Sequence, residues 1–463
     1  MFRIANPTRI ARGRGGRLAA RRVAAGLAAG AMVAVLIAGR SGAVAAPPAS
    51  SPPLHVGVVL PLSGMPAELA GQERLGIQVA ADLANADGGM NGHRIVLDVH
   101  DLSDGSQASA VVAQIKAEGA SVVVGSYASD LSMAVSTATA DAGLVYWESG
   151  AVADQLTGRG LPMVFRVGAD GARLGANSAT FAASELAPLL GISPARLRVT
   201  IVAATDDYAR SVADAAQAGL ASNGAVFAGR IDYSLSLPDW PTVLQKLAAS
   251  RPDVIILAAH ILDGEAFRRA MIAANVHVGA LIGSTMAQCV GDFGEELGAD
   301  AIGVFASDRP TGGFNPSALQ PSARTVYDRF AAEWAKTYLL APPTEEGLAG
   351  FTAAWALFHY VLPNSTGLDP ASIAAAARGV DLPNGSLPNG SGLRFSTDQS
   401  RLGQNALAAA VVWQWQATKP DSASVSPAPA AASAATATPQ SVTVWPAQFA
   451  GGPIDRSLVP LPR

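Results

Sequence analysis

The sequence predicts an α/β protein built as two doubly wound parallel-sheet lobes. Three observations lead there. Short β-branched apolar runs alternate with amphipathic helical stretches from Leu54 onward. Strands alternating with helices of 10–15 residues imply parallel sheets covered on both faces. The strands are too many for one doubly wound domain, and a chain of 463 residues can bury more than one core.

The elements follow in order. Leu54–Leu60 is a short apolar run ending at Pro61, the pattern of a buried strand. A helix from about Gly71 to Asn85 carries Leu75, Val79 and Leu83 on one face. Gly88-Gly89 stops it, and Asn91-Gly92 turns the chain into strand Arg94–Val99. Helix Gln107–Glu118, strand Ser121–Val124, helix Leu131–Ala142 and strand Leu144–Trp147 repeat the cycle. Strand Val164–Val167 precedes a long helix over about Ala172–Leu190, and strands follow at Arg198–Ala203, Val226–Ile231, Asp253–Ala258, Ala280–Ile282 and Ala301–Phe305. Helices Arg324–Tyr338 and Glu346–Leu362 come next, then strand-like runs Leu407–Trp415 and Ser441–Trp445. Between those runs, Ala417–Gln440 is a Pro/Ala/Ser/Thr tract with too little apolar surface to offset ordering, expected as a flexible insertion. Open α/β sheets bind ligands beyond the carboxyl ends of their strands. The loops after Leu60, Val124, Trp147, Ala203, Ala258 and Ile282 are therefore the ones to inspect.

The N-terminus reads differently. Residues 1–45 hold eight Arg and no acid, with an apolar run at Val23–Ala38 and small residues at Ala43-Val44-Ala45. That order is a secretory signal peptide, and the run is shorter than the ~20 residues of a membrane span. Arg21-Arg22 leaves the general and twin-arginine export routes open. No Cys stands at the cleavage point for lipid attachment. After cleavage, 24 of the 32 basic residues remain against all 36 acidic ones, which argues against nucleic acid or an anionic membrane as partner. The single cysteine, Cys289, allows no intrachain disulfide and is expected as a small buried hydrophobe.

Catalytic signatures are missing. No H-E-x-x-H, P-loop, G-x-S-x-G or G-x-G-x-x-G motif occurs, and the six His do not pair at metal-ligand spacing, so neither metal nor cofactor is expected. Asp206-Asp207, after a strand, reads first as a helix N-cap and second as an acid–base pair.

The run Val56-Gly57-Val58-Val59-Leu60-Pro61-Leu62-Ser63-Gly64 resembles the first strand and loop of the branched-chain amino acid (Leu/Ile/Val-type) periplasmic binding protein family. So do Gly76, the segment Asn85–Gly92 with Asp101, Val124-Gly125-Ser126, Gly150-Ala151, Phe165-Arg166, Asp207-Tyr208 and Trp413-Gln414-Trp415. The resemblance covers about Leu54 to Trp445. It implies a type I periplasmic binding protein: lobe 1 over 54–167 plus 305–395, lobe 2 over 168–304 plus 396–447, joined by three crossovers. It also implies a monomer that closes around a solute outside the cytoplasm and presents it to the membrane subunits of an ABC importer.

Site residues carry over loop by loop. Within Gly125–Ser129, the resemblance puts Tyr127, Ala128 and Ser129 at a ligand carboxylate, and Ser129 would open a helix whose N–H groups favour an anion. Ser129 reads equally as an N-cap, and both roles are compatible. Gly150 and Ala151 match a second ligand loop, Tyr208 an aromatic that closes from lobe 2, and His260 falls near another such aromatic. Family members binding amino acids place an acid after the Ile282-type strand to meet the ligand ammonium. Here Gly283-Ser284-Thr285-Met286 has none, although Thr285 remains a candidate contact. A buried ammonium without a carboxylate is costly, so Glu148 or Asp263 is a candidate substitute, and an amide, a carboxylate or an aromatic acid becomes as reasonable a ligand. Tyr127, Trp147, Tyr208 and His260 would suit a planar ligand, or serve as ordinary core and loop aromatics. The leading expectation is a transport receptor and not an enzyme; a ligand sensor of the same fold is the alternative.

Overall fold

The computed structural model describes residues 51–284, 288, 290–338, 341–418 and 438–462. Thr285, Cys289, the expected signal peptide and most of the Ala/Pro-rich tract lie outside them. The first half of the chain builds β1 (Leu54–Leu60), α1 (Ala67–Ala86), β2 (Ile95–Asp101), α2 (Ala108–Ala117), β3 (Val122–Gly125), α3 (Ser129–Ala142), β4 (Val145–Glu148), α4 (Gln155–Gly158) and β5 (Val164–Arg166). These strands form a parallel five-stranded sheet in the order β2-β1-β3-β4-β5.

The chain then crosses into α5 (Gly171–Phe181), which widens into a π-helical turn at Ala182–Leu186 and ends as α6 (Ala187–Leu189). There follow β6 (Arg198–Ala204), α7 (Asp207–Ser222), β7 (Val226–Tyr233), α8 (Trp240–Ser250), β8 (Val254–Ala258), α9 (Ile261–Ala273), β9 (Ala280–Ser284), α10 (Gly291–Leu297) and β10 (Phe305–Asp308). A second crossing leads to α11 (Pro321–Thr337), α12 (Glu345–Trp355), α13 (Pro370–Gly379) and the small ribbon β11 (Asp381–Leu382) with β12 (Leu393–Arg394). A third delivers β13 (Val411–Ala417) and β14 (Pro439–Trp445), an antiparallel pair. Among the described residues the second sheet has seven strands in the order β14-β13-β10-β9-β8-β6-β7. Two wound sheets joined by three crossings are the predicted architecture.

Alternation along the first-sheet strands sorts their side chains to two faces. Val56, Val58, Leu60, Val124 and Trp147 join the core that includes Phe330, Trp334 and Phe351 of α11 and α12. Val59, Val123 and Tyr146 face the other way, onto Val112 and Ile115 of α2 and Val135 of α3. The second sheet has its own core, with Ile201, Leu257, Ile282 and Phe305 among α5, α7 and α9. Where α1 crosses α12 the backbones nearly touch. A Cβ on Gly76 would meet Gly347 O at 2.1 Å, and one on Gly350 would meet Glu73 O at 2.3 Å. Only glycine permits that approach.

Three expectations shift. The strand expected at Ala301–Phe305 begins only at Phe305, because Gly298–Ala301 is spent in a 3-10 turn. β10 pairs with β9 and β13, so the lobe boundary drawn at 305 falls four residues too early. The final hairpin starts at Val411 rather than Leu407, since Leu407 N–H and Ala409 N–H bond the side chains of Asn405 and Ser391 instead of a strand partner.

Candidate ligand cleft

A cleft of about 650 Å³ opens where the carboxyl ends of both sheets meet. Most of its lining loops follow a strand, as the rule for open α/β sheets requires. Met65, Tyr127, Ala128, Ser129 and Gly150 line it from the first sheet's side, and Asp206, Asp207, Tyr208 and His260 from the second. Asp308 and Arg309, on the second crossing, and Glu345 and Glu346, opening α12, complete the wall.

On the first side, Ser129 is the first residue of α3, and its Oγ accepts from Ala153 N–H at 3.2 Å. Tyr127, which lines the cleft, sits in the left-handed region at φ +68°, a position that costs a non-glycine residue energy. Gly150 is required for packing: a Cβ there would meet Glu73 Oε2 at 2.4 Å and Tyr127 Cα at 2.8 Å. Ala151 is a correction. It is buried, it does not line the cleft, and its N–H donates to Glu148 Oε1 at 2.7 Å. Glu148 also accepts from Gly150 N–H at 2.6 Å and from the Tyr146 hydroxyl at 2.7 Å. Its carboxylate holds the loop and is not available to a ligand. Trp147 is likewise core: its ring packs on Phe165 and Phe395 and its Nε1–H donates to Ala353 O.

On the second side, Asp206 caps α7, its Oδ1 accepting from Ala209 N–H at 2.9 Å, which is the N-cap reading of Asp206-Asp207. Tyr208 lies against His260, ring centroids 4.8 Å apart. His260 is the N-cap residue of α9, and its N–H donates to Asp263 Oδ1 at 3.0 Å. Asp263 also accepts from the Tyr233 hydroxyl, so it too is occupied and stays out of the cleft. Burial works against a charged His260 ring, but Asp263, Asp206 and Asp130 outweigh it and raise its pKa. Thr285 lies outside the described residues.

The hinge end of the cleft was not foreseen. Arg309, buried at the cleft wall, meets Glu345 twice, Nε to Oε1 at 2.5 Å and Nη2 to Oε2 at 3.1 Å, and its Nη1 donates to Gly150 O at 2.6 Å. Asp308 Oδ1 lies 3.7 Å from the same guanidinium. Burial disfavours the charge on Arg309, yet Glu345, Asp308 and Glu73 prevail and hold it protonated. Glu346 is 3% exposed and lines the cleft. Its carboxyl takes a hydrogen bond from its own backbone N–H and from no other described residue, and burial pushes its pKa up to about 7. Beneath the floor, Glu73 is raised to about 8 by burial and then by Glu148. It accepts from Ser149 Oγ at 2.5 Å through Oε1, while Oε2 has no partner among the described residues. Sequence reading passed over these acids because Glu345-Glu346 resemble an ordinary charged helix start, and Asp308-Arg309 an ordinary strand end. Among the described residues no group of three or more His, Cys, Asp or Glu could hold a metal ion.

Two wound sheets, three crossings and a cleft at the facing strand ends describe a hinged solute-binding protein. Residues 53–437 match the family model for periplasmic binding protein, and the chain belongs to that family. A Leu/Ile/Val-binding protein homolog 8 of Brucella abortus is 28% identical over 365 residues, 78% of this chain and 88% of that protein. The Leu-, Ile-, Val-, Thr- and Ala-binding protein of Brucella ovis, in its closed conformation, superposes with a TM-score of 0.65 at 20% identity, covering 79% of this chain and 90% of that one. A solute-binding protein from R. palustris in complex with benzoate gives 0.61 at 18% identity, covering 78% and 93%. Members of the family are solute receptors that work outside the cytoplasm with ABC transporter membrane components.

Proposed function

We propose that this chain is the extracytoplasmic receptor of an ABC importer, a binding protein and not an enzyme, holding a small organic solute between its lobes. The observation that carries the reading is the cleft itself, about 650 Å³, walled by loops from both sheets and by the crossings that would hinge them. That volume suits one small molecule. Tyr127, Ala128, Ser129 and Gly150 would form the fixed half of the site, and Tyr208 with His260 the half that closes. A negative group of the solute would sit at Ser129, where the free N–H groups of α3 and its dipole favour it. The acidic balance of the chain speaks against nucleic acid as a partner, and we take the receptor to act as a monomer.

Thermal-shift screening of the chain against amino acids, amides, amines and carboxylates tests it, since a solute that binds only the folded state raises the melting temperature. The reading expects a shift with at least one class, and a tenfold or greater loss of affinity in Tyr208→Ala, measured by calorimetry below that variant's own melting temperature, which falls because the ring is buried. No shift with any class, or full binding by Tyr208→Ala, would contradict it.

A further inference from the structure

At the hinge end of the cleft three acids, Asp308, Glu345 and Glu346, share one cation, Arg309. Asp207 is met by Arg210 at 2.8 Å. Arg309 is one guanidinium shared between Glu345 and Asp308. Glu346, lining the same wall, has neither an ion pair nor a hydrogen bond from another described residue, although it is 3% exposed. Across the cleft, Asp206 Oδ2 is also buried without a hydrogen-bond partner among the described residues, and His260 Nε2 lies 3.7 Å from it. An ionised carboxylate held at low exposure with so few partners is disfavoured, and a positive charge on the solute would relieve it.

We propose that Glu346 and Asp308 form a cation subsite at the hinge, so that the solute taken by this cleft carries a net positive charge, as an amine or a guanidine. The proposal rests on the receptor reading above and narrows it. Two further observations agree. The position of the acid is fixed by the fold: Thr344 caps α12, its side chain accepting from Gly347 N–H at 3.2 Å, which sets Glu346 in the first turn. The hydrogen bonds of the cation already present go elsewhere, because Arg309 is tied to Glu345 and to the carbonyls of Ser149 and Gly150. A planar guanidinium or a primary ammonium supplies the donors that a carboxylate accepts, with a charge-assisted bond stronger than a neutral one. An anionic solute would instead add a like charge to a wall that is already negative.

Isothermal titration calorimetry of the whole protein at pH 8 tests this with L-arginine, agmatine and putrescine set against L-leucine, propionamide and benzoate. The expected result is binding of at least one of the first three, tighter than any of the second three, and weakened tenfold or more in Glu346→Gln. Glu346→Gln removes an unpaired buried charge, so its unliganded melting temperature should equal or exceed that of the parent. Should it fold poorly, Glu346→Asp, which keeps the charge, is expected to retain cation binding. Binding confined to leucine, propionamide or benzoate overturns the cation subsite and leaves the receptor reading standing. Binding of a cation that Glu346→Gln leaves unaltered overturns the subsite alone, and no binding by any of the six overturns the proposed solute class.

Discussion

The two ends of the cleft are built on opposite principles. At the Ser129 end, Glu148 is consumed by the fold, accepting from two backbone N–H groups and the Tyr146 hydroxyl, and the donors at the start of α3 face the solute beside one acid, Asp130. At the hinge end, Asp308, Glu345 and Glu346 gather around one guanidinium, with Glu73 buried close by, and the charge is left incomplete. The first end is organised before ligand arrives; the second holds an imbalance that ligand can relieve. That contrast assigns positioning to one end and selectivity to the other.

The largest effect that can break the contrast is expected at Arg309. Arg309→Met would leave Glu345 and Asp308 enclosed without their counter-charge. A loss of about 3–5 kcal/mol is expected by analogy with breaking buried ion pairs, read as a lower denaturant midpoint. A midpoint within error of the parent would show that the hinge acids are neutral in the fold.

Glu73 sharpens the same point through pH. Folding raises its pKa to about 8 from the ordinary carboxylate value of 4.5, so the folded chain binds its proton more tightly than the unfolded chain does. Its contribution is full below the unfolded value and is lost as pH rises through about 8. Glu73→Gln, which cannot ionise, is therefore expected to stabilise by about 2–4 kcal/mol at pH 8.5 and by little at pH 4.5. Equal effects at the two pH values in chemical denaturation would contradict the assignment.

A smaller effect concerns affinity. Glu346, raised to about 7 by burial, faces Asp308 and Arg309 from the crossing, Asp292 from α10, Glu345 beside it and Glu73 from α1. Binding of a cationic solute is expected to tighten roughly tenfold between pH 6 and pH 8 as Glu346 loses its proton, and Glu346→Gln should flatten that slope. Loss of a proton from His260, whose pKa the neighbouring acids raise, acts in the same direction, so any residual slope in the variant measures its share. Ser129→Ala is expected to do least, about 1 kcal/mol of affinity, because backbone N–H groups at the start of α3 remain in place. A loss a hundredfold larger in calorimetry would make the hydroxyl, and not the helix start, the anchor of that end.

The sequence made the strands legible because their apolar runs are short, β-branched and stopped by Pro or Gly, as at Leu54–Leu60 before Pro61. It also made the first-side loops legible: Tyr127, Ala128, Ser129 and Gly150 line the cleft, as do Tyr208 and His260 opposite. Trp147 took the core reading because its place in β4 turns its ring into the protein, and Ala151 misled because its N–H turns back onto Glu148. The hinge acids were invisible for a different reason. Glu345-Glu346 begin a helix 36 residues after Arg309, and nothing in local pattern says that the α1–α12 glycine crossing carries them into the same wall. Long-range charge pairing is a property of the fold, and only the assembled structure discloses it.

The most direct test of the central claim is amide hydrogen exchange with and without whichever solute raises the melting temperature. Closure on a solute predicts simultaneous protection of the loop at Ser126–Asp130, the loop at Thr205–Tyr208 and the crossing at Asp308–Arg309. Protection confined to the loops of one sheet, or to neither, would mean that the solute does not bridge the two halves, and the account of a closing receptor would be wrong.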